Sequence, residues 1–126
     1  MLFEVSSRRP PQEIENRLKQ AAARHKFGIL GTHNLRQAMA NKGVDFHGEC
    51  MIYEVCNPHR AKQVLEANAS IATALPCRIS VYRSGNEYRI ATLLPTEVLR
   101  LFGNPELDPV AREVEEAIKA IILETA

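Results

Sequence analysis

Residues 77–83 and 87–93 are both rich in β-branched and aromatic side chains, and only Ser84-Gly85-Asn86 separates them. Two such runs joined by a Gly-Asn turn predict an antiparallel hairpin, since glycine supplies the left-handed backbone a tight connection needs. A hairpin alone is marginal in water and needs an apolar layer against one face. The C-terminal segment offers one: after Asp108-Pro109, a helix start, Val110, Val114, Ala117, Ile118, Ile121 and Ile122 recur at helical spacing, with Glu115 and Lys119 as an outward pair. That stripe has to cover one face of a sheet.

The rest of the chain supplies more of both kinds of element. Residues 1–6 alternate as a first strand. Pro10-Pro11 with Glu13 and Glu15 opens a helix, with Ile14, Leu18, Ala21, Ala22 and His25 on one face and Gly28 as its expected end. Residues 27–32 read as a short strand, and Asn34 caps a brief helix over 35–41 that Gly43 stops. Residues 46–56 form the longest strand candidate. Its period of two sorts Phe46, Gly48, Cys50, Ile52, Glu54 and Cys56 onto one face and His47, Glu49, Met51, Tyr53 and Val55 onto the other. Asn57-Pro58 then caps and starts a helix whose buried stripe is Ala61, Val64 and Leu65, and Pro95 and Thr96 start a short one ended by Gly103.

Length and charge bound the function classes. A chain of 126 residues buries an ordinary core as one domain, 1–126, without disulfides or metal. Sixteen Lys and Arg against fifteen Asp and Glu leave a net charge of +1, too little field to gather nucleic acid or an anionic membrane. Gly28-Ile29-Leu30-Gly31 lacks the spacing of a phosphate loop, and the seven aromatics do not interleave with the scattered arginines, so no nucleic-acid partner is expected. No apolar run approaches the roughly 20 residues of a membrane span. Cys50, Cys56 and Cys77 make an odd count in a chain without an export-type start, which favours reduced thiols in a cytoplasm.

Four ordered segments carry a family resemblance: Lys26-Phe27-Gly28-Ile29-Leu30, Lys42-Gly43-Val44-Asp45-Phe46, Val55-Cys56-Asn57-Pro58, and Leu75-Pro76-Cys77-Arg78-Ile79-Ser80-Val81-Tyr82. In these the chain resembles the domain-of-unknown-function family numbered 302, from Pro11 to about Phe102. It departs from the family pattern with Lys26 where glycine is frequent before the phenylalanine, and with Cys50 where tyrosine is common. The resemblance implies an α+β fold: one sheet of about five strands, mostly antiparallel, with helices packed against it in a layout similar to the TATA-box-binding protein. It also implies a homodimer, and it implies no activity or cofactor.

The chemistry must therefore come from the residues. Cys56 stands just before a helix N-terminus, where unpaired N–H groups and the macrodipole lower a thiol pKa, and His59 follows three residues on. Asn57 is the cap. Cys77 approaches Cys56 if their strands are adjacent and antiparallel, and lies at the far end if they are parallel; the connection of about twenty residues permits both. Glu54 needs a partner such as Arg78 or Arg89 if its face is buried. Cys50, Glu54, Cys56 and His59 lack the paired spacing of a structural metal site, so no metal is expected. His25 and His33 read as hydrogen-bonded structural histidines. Two classes stay open. One is a homodimeric module that binds a small ligand or partner. The other is a thiol-based redox or sulfur-transfer protein centred on Cys56 and Cys77, and whether the chain is an enzyme follows from neither.

Overall fold

A computed structural model describes residues 1–126. The elements run β1 (Leu2–Ser7), α1 (Pro11–Arg24), β2 (Gly28–Asn34), α2 (Leu35–Ala40), β3 (Cys50–Cys56), α3 (Pro58–Ala67), β4 (Cys77–Ser84), β5 (Glu87–Leu93), α4 (Pro95–Arg100) and α5 (Asp108–Thr125), with 3₁₀ turns at Ala69–Ala74 and Pro105–Leu107. The strands form one five-stranded sheet in the order β1-β5-β4-β3-β2, and every neighbouring pair is antiparallel. The hairpin closes through Gly85-Asn86, with Ser84 opposite Glu87 and Gly85 at φ 64°.

One face of the sheet is covered by helices. Tyr53 and Val55 of β3, Ile79 and Val81 of β4, and Ile90 of β5 meet Ile14 and Leu18 of α1 and Ile118, Ile121 and Ile122 of α5 in a single core. The three α5 isoleucines are fully buried, and each contributes about 1.5–3 kcal/mol relative to exposure. A second, smaller cluster joins Val64, Ile71, Leu107 and Val110 beside it. No helix is long and apolar enough to cross a membrane.

The other face carries no helix. Its side chains are those of the opposite parity, among them Glu4, Arg89, Tyr82, Cys50, Ile52 and Glu54, and Leu2 and Leu93, paired across β1 and β5, are more than half exposed there.

Several boundaries differ from those read in the sequence. Residues 46–49 are not strand: the Arg36 guanidinium donates to the Phe46 and His47 carbonyls (both 3.2 Å), and the Phe46 ring folds over Gly48, where an added Cβ would sit 2.4 Å from it. A side-chain donor there takes the place of a ladder partner. Helix α1 ends before Gly28. Phe27 N–H donates to the Ala22 carbonyl (2.9 Å) and Lys26 N–H to that of Ala23 (3.1 Å), the paired bonds of a Schellman cap, and Lys26 holds φ at 64°. The left-handed residue is thus Lys26, at a position where glycine alone would carry no Cβ strain. In α3 only Val64 of the expected stripe is buried, and Leu65 points outward at 36% exposure.

Candidate functional site

Where β3 and β5 finish and β4 begins, the sheet end and its covering helices enclose an apolar cavity of about 290 Å³. Helix α3 forms one wall with Asn57, Arg60, Ala61 and Val64, which share a face because they are three, four and seven residues apart. The 3₁₀ turn and the Leu75-Pro76 segment form a second wall, α4 a third through Val98 and Leu99, and Val114 of α5 closes the interior. Val55, Cys56, Cys77 and Thr92 border it from the strands.

Hydrogen bonds fix these walls. Asn57 Oδ1 accepts from the backbone N–H groups of His59 (3.1 Å) and Arg60 (3.3 Å), so β3 turns into α3 with the first-turn donors satisfied. Thr92, 5% exposed, donates from Oγ1 to the Arg78 carbonyl at 2.8 Å. Glu115 accepts from Thr96 N–H (3.1 Å) and Thr96 Oγ1 (2.7 Å), which pins α4 to α5. Asn68 Nδ2 donates to Asn104 Oδ1 at 2.8 Å and holds the 3₁₀ turn beside the loop ahead of α5.

Cys56, Asn57 and Cys77 come together here. Strands β3 and β4 are adjacent and antiparallel, which settles the arrangement the sequence left open, but the register sets Cys77 opposite Val55. Cys77 therefore has the core-facing parity of Ile79 and Val81, whereas Cys56 has that of Ile52 and Glu54. The helix N-terminus does not make Cys56 acidic. Burial pushes its thiol pKa up, and the amide donors that would favour a thiolate are occupied by Asn57. Burial, reinforced by the nearby Cys56, pushes Cys77 up to about 11.

The other predicted residues lie elsewhere. The His59 side chain borders a shallow outer groove with Lys62, Gln63 and Glu66, away from both cysteines. Glu54 is on the helix-free face and pairs with His33 Nε2 at 2.8 Å; neither Arg78 nor Arg89 is its partner, and Arg89 is held by Glu4 and Glu87 at 3.2 and 3.5 Å. His25 caps the end of α1 and meets Glu124 at 2.5 Å. Nowhere do three His, Cys, Asp or Glu side chains gather as a metal site would require. Arg60, Thr73 and Val98 were not singled out in the sequence. Only the 57-60-61-64 spacing signals any of them, and it does so as one helix face.

The cavity's lining contains no carboxylate and no imidazole, so the arrangement can bind and exclude water but offers no acid/base pair. Residues 3–125 match the family model described as Domain of unknown function DUF302. The chain belongs to this family. The DUF302 chain also superposes on the crystal structure of the uncharacterized conserved protein DUF302 from Bacillus stearothermophilus with a TM-score of 0.94 and 27% identity, over 99% of this chain and 98% of that one. No curated protein matches this DUF302 chain.

Proposed function

We propose that this protein is a small-ligand-binding module, one domain over 1–126, that takes its ligand in the cavity between α3, α4 and the sheet end and works as a homodimer. The observation that supports the reading is the cavity itself: apolar walls with a few polar groups, at a size near the lower end of ligand pockets, held by hydrogen bonds at each wall. The exposed Leu2 and Leu93 on the helix-free face favour a second copy as its cover. Three unpaired cysteines fit a reducing compartment such as the cytoplasm.

Native mass spectrometry of freshly purified protein tests both parts. The expected result is a dimer carrying a non-covalent adduct that is absent from Ala61→Leu, a substitution that fills the cavity from a half-buried helix position. Adduct retained unchanged in the variant, or no adduct under any purification, counts against the binding reading; a monomer at micromolar concentration counts against the dimer.

Thiol chemistry is favoured by one observation, that Cys56 and Cys77 border the same cavity. Both thiols are pushed toward the protonated form, which weakens that reading relative to binding.

A further inference from the structure

We propose that the cavity's ligand is a small amphipathic anion, an apolar body bearing one carboxylate or a similar oxyanion, with Arg60 as its charged contact. This rests on the cavity being the binding site. Its only charged lining residues are Arg60 and Arg78, so the lining is cationic and not merely apolar. Arg60 lies on the same helical face as Asn57, Ala61 and Val64, which aims its stem along the cavity wall. Its Nη2 lies 2.9 Å from Glu113 Oε2 on α5, a pair in which both side chains are substantially exposed, at 42% and 56%. An exposed pair of that kind is worth little, so a ligand carboxylate exchanges with Glu113 at small loss. The planar guanidinium suits a carboxylate through two parallel hydrogen bonds.

Two alternatives to Arg60 are weaker. The first-turn amides of α3 are already bound by Asn57, so the helix end offers no free donors to an anion. Arg78 has the parity of the helix-free face, since its neighbour Ile79 is fully buried in the core, and there it stands opposite Glu54, which His33 holds. Arg60 is therefore the charge on the helical wall of the cavity, and Arg78 borders it only from the strand side. At about 30 Å³ for a water-sized group, the cavity of about 290 Å³ holds on the order of ten non-hydrogen atoms, the size of an eight-carbon carboxylate.

Isothermal titration calorimetry with octanoate, 1-octanol and octylammonium tests this on the full chain, with Arg60→Gln and Ala61→Leu as variants whose folding is verified by circular dichroism. Octanoate is expected to bind at least tenfold tighter than octanol, octylammonium more weakly than either, and Arg60→Gln to erase the octanoate preference while leaving octanol affinity within twofold. Ala61→Leu should weaken both. Equal affinities for octanoate and octanol, or a preference that survives Arg60→Gln, overturn the anion proposal and leave the cavity reading standing. Absence of binding by all three overturns both, and octanol binding that Ala61→Leu leaves unchanged refutes the cavity as the site.

Discussion

Native-state alkylation of Cys77 tests how strongly the fold suppresses thiol chemistry at the cavity. An unfolded cysteine titrates near 8.5, whereas Cys77 is raised to about 11 by burial and the neighbouring Cys56. At pH 7.5 a difference of about 2.5 units leaves roughly 300-fold less thiolate on Cys77 than on the unfolded chain. The more basic thiolate is the better nucleophile, and a Brønsted slope of about 0.4–0.5 returns on the order of tenfold to twentyfold, so the net deficit is about 20-fold before restricted access is counted. The assay is timed iodoacetamide labelling of folded and urea-unfolded protein followed by trypsin. Cleavage after Arg and Lys gives the fragment 63–78 with Cys77 alone and the fragment 43–60 with Cys50 and Cys56. Between pH 7 and 9 the folded rate at Cys77 should climb roughly tenfold per unit while the unfolded rate levels off near 8.5. Labelling of folded Cys77 as fast as the unfolded chain at pH 7.5 would refute the argument and revive the thiol-based function.

Lys26→Gly should stabilise the protein by roughly 0.5–1 kcal/mol in urea denaturation, because Lys26 sits at φ 64°, where a Cβ is strained; Lys26→Ala should not, which separates the backbone effect from loss of the lysine side chain. Asn57→Ala should destabilise by about 1 kcal/mol, with Asn57→Asp close to the parent, since the cap needs only a side-chain oxygen facing the His59 and Arg60 amides. Alkaline titration of tyrosine absorbance should find no midpoint at the usual value near 10 while the chain is folded. Tyr53 is raised by burial and then by Glu15, Tyr82 by its hydrogen bond to Glu4 and then by burial, and Tyr88 by burial and then by Glu49. With the folded values above the unfolded one, this stability is fully present below about pH 10 and is lost as pH rises through the folded values, so tyrosine ionisation in the folded chain should run above that of the urea-unfolded chain.

Elements with strong local signals were legible. The Gly85-Asn86 turn, the Asn34 and Asn57 caps and the isoleucine stripe of α5 each encode their structure within a few residues, and the structure places each as read. Readings failed where a distant group overrode the local pattern. Residues 46–49 alternate like a strand, but Arg36, ten residues earlier in the chain, takes the Phe46 and His47 carbonyls. Glycine marked the end of α1 at position 28, yet the helix stops at Arg24 and its cap is closed by Lys26, whose left-handed backbone local preference disfavours.

The candidate site divides along the same line. Cys56 and Cys77 drew attention because thiols are chemically conspicuous, but their acidity depends on solvation, and composition says nothing about which thiols a fold will dry out. Arg60 escaped notice because one arginine on a helix is ordinarily a solvated charge. Its distinction is positional: it shares a face with Ala61 and Val64, and that face becomes a cavity wall only because α4 and the 3₁₀ turn stop short of filling the sheet end. If the walls had been completed by one larger side chain, as Ala61→Leu would do, the same arginine would be surface decoration. The candidate site therefore depends on a small residue beside a charge, a pairing that has meaning only once the ends of β3 and β5 meet the start of β4 in space.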